Sequence, residues 1–200
     1  MRARLAAWWG LVAGAELDVQ GARVIVPRGV LNPALFRVGV WFAAEVAAEV
    51  RPGERLLDLG CGSGVVGVLA QRAGAVVVAS DLDARAVAAA RRNGVADARQ
   101  GDLFEAVPGE QFDRICFNPP FFPGRGRGRA YQRALYGGPG LAVVRRFSAA
   151  LPPHLRPGGV AWVAWSSRAP PAEEALGDGW RLVTRADAPG ERLEIWGFSG

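Results

Sequence analysis

The 200-residue chain contains no lysine, so all 24 of its basic residues are arginine. Two cysteines, Cys61 and Cys116, and one histidine, His154, are too few for a disulfide framework or a metal-ligand cluster. A reducing compartment and no metal are the expectations that follow. No apolar run approaches the roughly 20 residues of a membrane span, so no membrane partner is expected. Acidic residues are absent between Asp113 and Glu173, a stretch in which nine arginines fall, from Arg114 to Arg168. The rest of the chain sets 15 arginines against all 19 acids, so the formal +5 belongs to one segment. A locally basic surface speaks to partners rather than to fold. Coding bias accounts for arginine in place of lysine, but not for a long stretch without acids.

What is present is a core. Half the residues are hydrophobic, and a domain of this length buries roughly 70% of the surface its unfolded chain exposes. One domain over residues 1–200 is expected, with residues 1–50 as a helical and loop extension packed on it. Arg2 and Arg4 before the apolar run Leu5–Ala15 could open a secretory signal with Ala13-Gly14-Ala15 as its cleavage site. Trp8, Trp9 and Gly10 interrupt that run, and an opening amphipathic helix in a cytoplasmic protein is the reading preferred. A short strand is predicted over Arg23–Val26 and a helix over Phe36–Val50. An alternation follows: strand Arg55–Leu59, helix Gly64–Ala73, strand Ala75–Ala79, helix Ala84–Asn93. Strands Ala98–Gly101 and Arg114–Phe117, helix Leu141–Leu151 and strand Val160–Trp165 continue it. This pattern predicts an α/β fold with a mostly parallel sheet and helices on both faces. Trp180–Arg185 and Arg192–Phe198, around Asp187-Ala188-Pro189-Gly190, predict a C-terminal antiparallel hairpin.

Asp58-Leu59-Gly60-Cys61-Gly62-Ser63-Gly64 runs from a strand through glycines into a helix, the layout of a cofactor loop. Gly62, Gly64 and Gly67 also satisfy G-x-G-x-x-G, so a dinucleotide must be weighed. Electrostatics separates the two ligands. A pyrophosphate wants bare N–H groups, whereas Asp58 suits a cation such as the sulfonium and ammonium of S-adenosylmethionine. Asp81, with Leu82 beside it, ends the next strand and can accept from ribose hydroxyls, which either cofactor would offer. Asp102, with Leu103, follows a third strand and could accept from an adenine amino group. Asp83 reads as the N-cap of the helix at Ala84.

Asn118-Pro119-Pro120-Phe121 follows the apolar strand Ile115-Cys116-Phe117. Two prolines stop the strand and fix a rigid extended turn. The Asn118 amide oxygen and the Pro119 carbonyl can accept both hydrogens of a planar –NH2, aiming its lone pair at an electrophilic methyl group. Phe121 offers a flat stacking face. Catalysis of this kind is positioning plus electrostatics. Pro120, Phe121 and Phe122 would border the acceptor. So would Arg125, Arg127 and Arg129, in a Gly-Arg alternation suited to phosphate or carboxylate.

Asp58–Gly64, Asp81, Asp102 and Asn118–Phe121, in this order, resemble a class I S-adenosylmethionine-dependent methyltransferase of the N-P-P-[YF] branch. Leu135–Gly140 and Leu155–Gly159 are similar to the HemK-type protein-glutamine methyltransferases in a short, single-domain form. The resemblance implies a Rossmann-like seven-stranded sheet and assigns Asp58 and Gly60, Cys61, Gly62 and Gly64 to the methionine part. Asp81 and Leu82 fall to ribose, Asp102 and Leu103 to adenine, and Asn118, Pro119 and Phe121 to the amide clamp, with Asn118 also bordering the cofactor. It implies a protein glutamine as acceptor and a translation-associated partner. RNA amino groups, a small amine or amide, a non-catalytic binding module and a nicotinamide oxidoreductase remain the alternatives. The Phe121 position is commonly Tyr in the family, and Arg37 has no assigned role.

Overall fold

A computed structural model describes residues 14–125 and 134–200. Two strands open it, β1 (Ala15–Val19) and β2 (Ala22–Val26), followed by α1 (Val38–Glu49). The alternation then runs β3 (Arg55–Leu59), α2 (Val65–Arg72), β4 (Val76–Asp81), α3 (Ala84–Arg92) and β5 (Ala98–Gln100). After a 3-10 turn, Leu103–Ala106, come β6 (Phe112–Phe117), α4 (Ala142–Ala150), β7 (Leu155–Ser166), α5 (Ala172–Leu176), β8 (Arg181–Ala188) and β9 (Glu191–Ser199).

Seven of the strands form one sheet in the order β5-β4-β3-β6-β7-β9-β8. The five from β5 to β7 are mutually parallel, and β9 pairs antiparallel with both β7 and β8. The central strand β3 is the apolar run Arg55–Leu59, and Leu56, Leu57 and Leu59 have at most 1% exposure. Burial of every side chain but the first is what a strand covered on both faces requires. Crossovers between parallel strands are right-handed, and the chain moves one way from β3 to β5 and the other from β6 to β7. Helices of the two halves therefore fall on opposite faces: α1 packs on α2 and α2 on α3, while α4 packs on α5 and the 3-10 turn. The fold is the predicted Rossmann-like α/β sheet with its C-terminal hairpin.

The start of the chain differs from its expectation. Residues 1–13, with Trp8 and Trp9, lie outside the described residues. Beyond them β1 and β2 form a separate antiparallel hairpin. The strand predicted over Arg23–Val26 has its partner in Ala15–Val19; the opening helix expected over the preceding apolar run lies outside the described residues. The Asp18 carboxylate accepts from Gly21 N at 2.9 Å and sets the turn. Asn93, at the end of α3, holds the hairpin in place. Its Oδ1 accepts from Ile25 N at 2.9 Å, and its Nδ2 donates to the carbonyls of Ile25 and Ser63 at 2.8 and 2.9 Å. Val19, Val24 and Val26 join the same hydrophobic cluster as Phe42, Leu57 and Ile195.

Two other differences are local. Helix α5 left no trace in the residue pattern, because five residues are too short for a helical period to register. Strand β7 begins at Leu155 rather than Val160, with a register shift against β6 that absorbs Pro157-Gly158-Gly159. Below the central strands Arg114 is 8% exposed; its Nε donates to Glu54 Oε1 at 2.7 Å and its guanidinium lies 4.6 Å from the Trp162 ring centre. Among the described residues no helix is long and apolar enough to cross a membrane.

Candidate functional site

The strand order reverses its direction of growth between β3 and β6, and at such a switch point the carboxyl ends of neighbouring strands leave a crevice. A cavity of about 400 Å3 occupies it. Asp58, Gly60, Cys61, Gly62, Asp81, Leu82, Asp102 and Leu103 line one side, and Asn118 and Pro120 the other. Residues from four different strand ends, up to 62 positions apart in the chain, thus meet in one hollow.

The acids are held differently from one another. Asp58 is 3% exposed, and its Oδ2 accepts from Gly67 N at 2.9 Å. Gly64 is the N-cap of α2 and has no side chain with which to cap it. Asp58 supplies the missing acceptor from across the strand. Burial, with the charge of Asp81 adding to it and the Gly67 N–H opposing it, raises the Asp58 carboxyl from its usual 3.8 to about 7. A buried carboxylate with that cost is poised for a cationic ligand. The oxygens of Asp81 accept from Gly62 N at 3.0 Å and Asp83 N at 2.8 Å. Asp83 caps α3 as expected, accepting from Arg85 N at 3.0 Å. Asp102 Oδ2 accepts from Arg146 Nη2, on α4, at 2.9 Å.

The glycines divide by role. Gly62 has φ 55°, and a Cβ there would meet no atom within 4 Å, so its backbone faces open space at the cavity. Gly64 is off the cavity: with φ 80°, it packs against α3, where a Cβ would lie 3.0 Å from the Ala90 Cα. Cys61 is buried, and burial pushes its thiol well up, which leaves it a small protonated packing group.

On the other side the tetrad is only partly displayed. Asn118 is half-buried, and among the described residues nothing engages its side-chain amide. Pro119 and Phe121 do not line the cavity. The Phe121 ring, expected as the stacking face, is 6% exposed and packs beside Trp165 of β7, with ring centres 6.0 Å apart. The core between β6 and β7 claims it. Phe122 is half-buried against Phe36 and Tyr136, at 6.1 and 6.2 Å. Arg125 is exposed and off the lining, and Arg127 and Arg129 lie outside the described residues.

Two walls were not anticipated. Gly29, Val30, Leu31 and Pro33, between β2 and α1, and Gly39, in the first turn of α1, line the cavity beside the cofactor loop. Tyr136, Gly137, Gly138 and the start of α4 close the other side. The second wall is laced to the tetrad: Phe122 N donates to Leu135 O at 3.0 Å, Gly137 N to Phe122 O at 2.9 Å and Gly124 N to Gly138 O at 3.0 Å. Gly137 permits this approach because any side chain there would collide with the Pro120 carbonyl. The only sequence signal for this wall was Gly137-Gly138; Tyr136 and Arg146 carried none. Arg37 donates to the Pro189 carbonyl at 3.4 Å, which ties α1 to the terminal hairpin.

Known proteins are similar to this chain in sequence and in fold. The chain is 45% identical over 106 residues to the ribosomal RNA small subunit methyltransferase C of Chromohalobacter salexigens, covering 50% of this chain and 29% of that one. It is 34% identical over 168 residues to the release factor glutamine methyltransferase of Cereibacter sphaeroides, covering 75% and 58%. Each of these relatives is therefore considerably longer than the part this chain matches. A solved T. thermophilus 16S rRNA methyltransferase, in complex with AdoMet and guanosine, superposes with a TM-score of 0.62 at 24% identity, over 93% of this chain and 50% of that one. The family model described as methyltransferase small domain matches residues 42–186, from α1 to the C-terminal hairpin, and the chain belongs to that family.

Proposed function

We propose that the chain transfers the methyl group of S-adenosylmethionine to a planar amide nitrogen, with a protein glutamine as acceptor, acting as a single domain over residues 1–200. The observation that carries the reading is the Asn118 amide, which nothing engages among the described residues, in the same cavity as the buried Asp58. The cofactor supplies an electrophilic methyl on a positively charged sulfur, and the residues present fit it. Asp58, Gly60, Cys61 and Gly62 would take the methionine part, where a buried carboxylate stabilises positive charge. Asp81 and Leu82 would hold ribose, and Asp102 and Leu103 adenine. Across the cavity Asn118 and the Pro119 carbonyl would accept the two amide hydrogens, directing the nitrogen lone pair into the space between the two walls. No described side chain needs to remove a proton before attack, because a positioned neutral nitrogen is the nucleophile. Pro120 and Phe122 would border the acceptor, with Arg125, Arg127 and Arg129 at its entrance. The glutamine acceptor is supported by the relative that shares the larger part of this chain.

A ribosomal RNA amino group is the second reading, favoured by the higher identity to the rRNA methyltransferase relative. Labelled S-adenosylmethionine incubated with the purified enzyme and host lysate separates the two. Label released by protease and not by ribonuclease supports glutamine, and the reverse supports RNA. Saturable binding of NAD with none of S-adenosylmethionine would refute both.

A further inference from the structure

Of the four carboxylates that line the cavity, three, Asp58, Asp81 and Asp102, stand at successive strand ends, and they are not fixed alike. Asp58 is held by the Gly67 N–H, and Asp81 by those of Gly62 and Asp83. Asp102 stands at the N-cap of the 3-10 turn, with φ −88° and ψ 113°, yet it makes no side-chain cap bond. Among the described residues a single group holds its carboxylate, Arg146 Nη2, at 2.9 Å from Oδ2. Both residues line the cavity.

The backbone beneath Asp102 is already set. Gly101 N donates to Asp81 O at 3.1 Å, and a Cβ on Gly101 would lie 2.7 Å from Ala106 N, so the turn closes tightly on itself. Rotation of the Asp102 side chain is the freedom that remains, and Arg146 removes it. Arg146 is itself well placed to do so. Its neighbour Phe147 is fully buried and stacks on Phe104 of the same 3-10 turn, with ring centres 5.7 Å apart and planes 15° apart. Helix α4 and the turn are thereby docked next to the ion pair. The Arg146 and Asp102 side chains are 54% and 34% exposed. A pair that open contributes little to stability, so its effect falls on the direction of the carboxylate.

Resting on the assignment of Asp102 to the adenine amino group, we infer that Arg146 is the positioning residue for recognition of the cofactor's base. It ties down Oδ2 and leaves Oδ1 to accept from the purine 6-amino group. A 6-oxo purine cannot donate at that position, so the amino base is preferred.

Calorimetric titration with S-adenosylhomocysteine and with S-inosylhomocysteine, its 6-oxo counterpart, reads this preference without turnover. One hydrogen bond to a partly exposed carboxylate corresponds to about tenfold in favour of the amino base. Arg146→Ala should cut the preference to about threefold, Arg146→Lys should restore part of it, and Asp102→Ala, which removes the acceptor altogether, should abolish it. In the Asp102→Ala background Arg146→Ala should change the preference no further. The wild-type preference should also weaken from low to high salt, while that of Arg146→Ala stays flat. A preference intact in Arg146→Ala but lost in Asp102→Ala overturns the inference and leaves the adenine assignment standing. A preference that survives Asp102→Ala sinks the adenine assignment itself. A further change on Arg146→Ala in the Asp102→Ala background means Arg146 touches the base directly, which also overturns the positioning role.

Discussion

Replacing Asp58 by Asn tests the electrostatic centre of the site. The Asp58 carboxyl titrates at about 7 in the fold against an ordinary 3.8, a difference that corresponds to about 4 kcal/mol. Because the folded value is the higher one, the neutral form is favoured by folding. The contribution to stability is complete below pH 4 and is lost as pH rises to about 7, after which it is flat. At neutral pH and above, the ligand-free protein thus carries an ionised, buried carboxylate at a cost. An Asn side chain is neutral throughout, and its amide oxygen can still accept from Gly67 N and complete the cap of α2. The Asn variant should therefore gain on the wild type by about 3 kcal/mol more at pH 8 than at pH 5, by the same linkage. For a chain of this size that is about 5–10 °C in Tm. Scanning calorimetry of the ligand-free proteins at the two pH values reads it directly. The same variant should bind S-adenosylmethionine more weakly, with a smaller loss for S-adenosylhomocysteine, whose sulfur is uncharged. If the Tm difference between variant and wild type is the same at pH 5 and pH 8, Asp58 does not carry a desolvated charge, and the cation-site argument falls.

Three further outcomes are expected. Asn118→Ala should lower turnover by about 10²-fold or more while cofactor affinity measured by calorimetry is nearly unchanged, since the amide acts on the acceptor; a parallel loss of cofactor would place Asn118 elsewhere. Glu54→Ala leaves the Arg114 guanidinium buried without its partner and should cost about 3–5 kcal/mol in denaturant unfolding; a cost below about 1 kcal/mol would mean Arg114 finds water instead. Gly137→Ala forces a methyl group against the Pro120 carbonyl, and the acceptor wall should separate from the tetrad. The expected signature is a fall in turnover with a cofactor Kd close to wild type, and an unchanged turnover would show that the wall is not needed.

Apart from the short α5, the order of strands and helices from Arg55 onward was legible because the central strands are short apolar runs and the longer helices are bounded by a glycine, proline or cap residue. Asp58, Asp81, Asp102 and Asn118 were legible for a related reason: strand ends in an α/β sheet are where chemistry gathers. The sequence could not show that Ala15–Val19 pairs with Ala22–Val26, since a two-stranded hairpin on the surface has half its face exposed and a weak pattern. It did not show where the Phe121 ring packs, because four consecutive residues say nothing about which neighbour claims a ring, and Trp165 lies 44 positions away in the chain.

By itself, then, the sequence determined which strand ends bear acids and which bears an amide, because that depends on local apolar runs and the residues that stop them. It also determined that the stretch without acids comes after the cofactor loop. Only the tertiary structure decided how each carboxylate is held: Asp58 by Gly67, the third residue of the helix it caps, Asp102 by an arginine from α4. Those choices depend on distance and burial between segments far apart in the chain. Lysine is missing from the whole sequence, but the arginine that matters at the cavity, Arg146, is singled out only by the helix packing that brings it there.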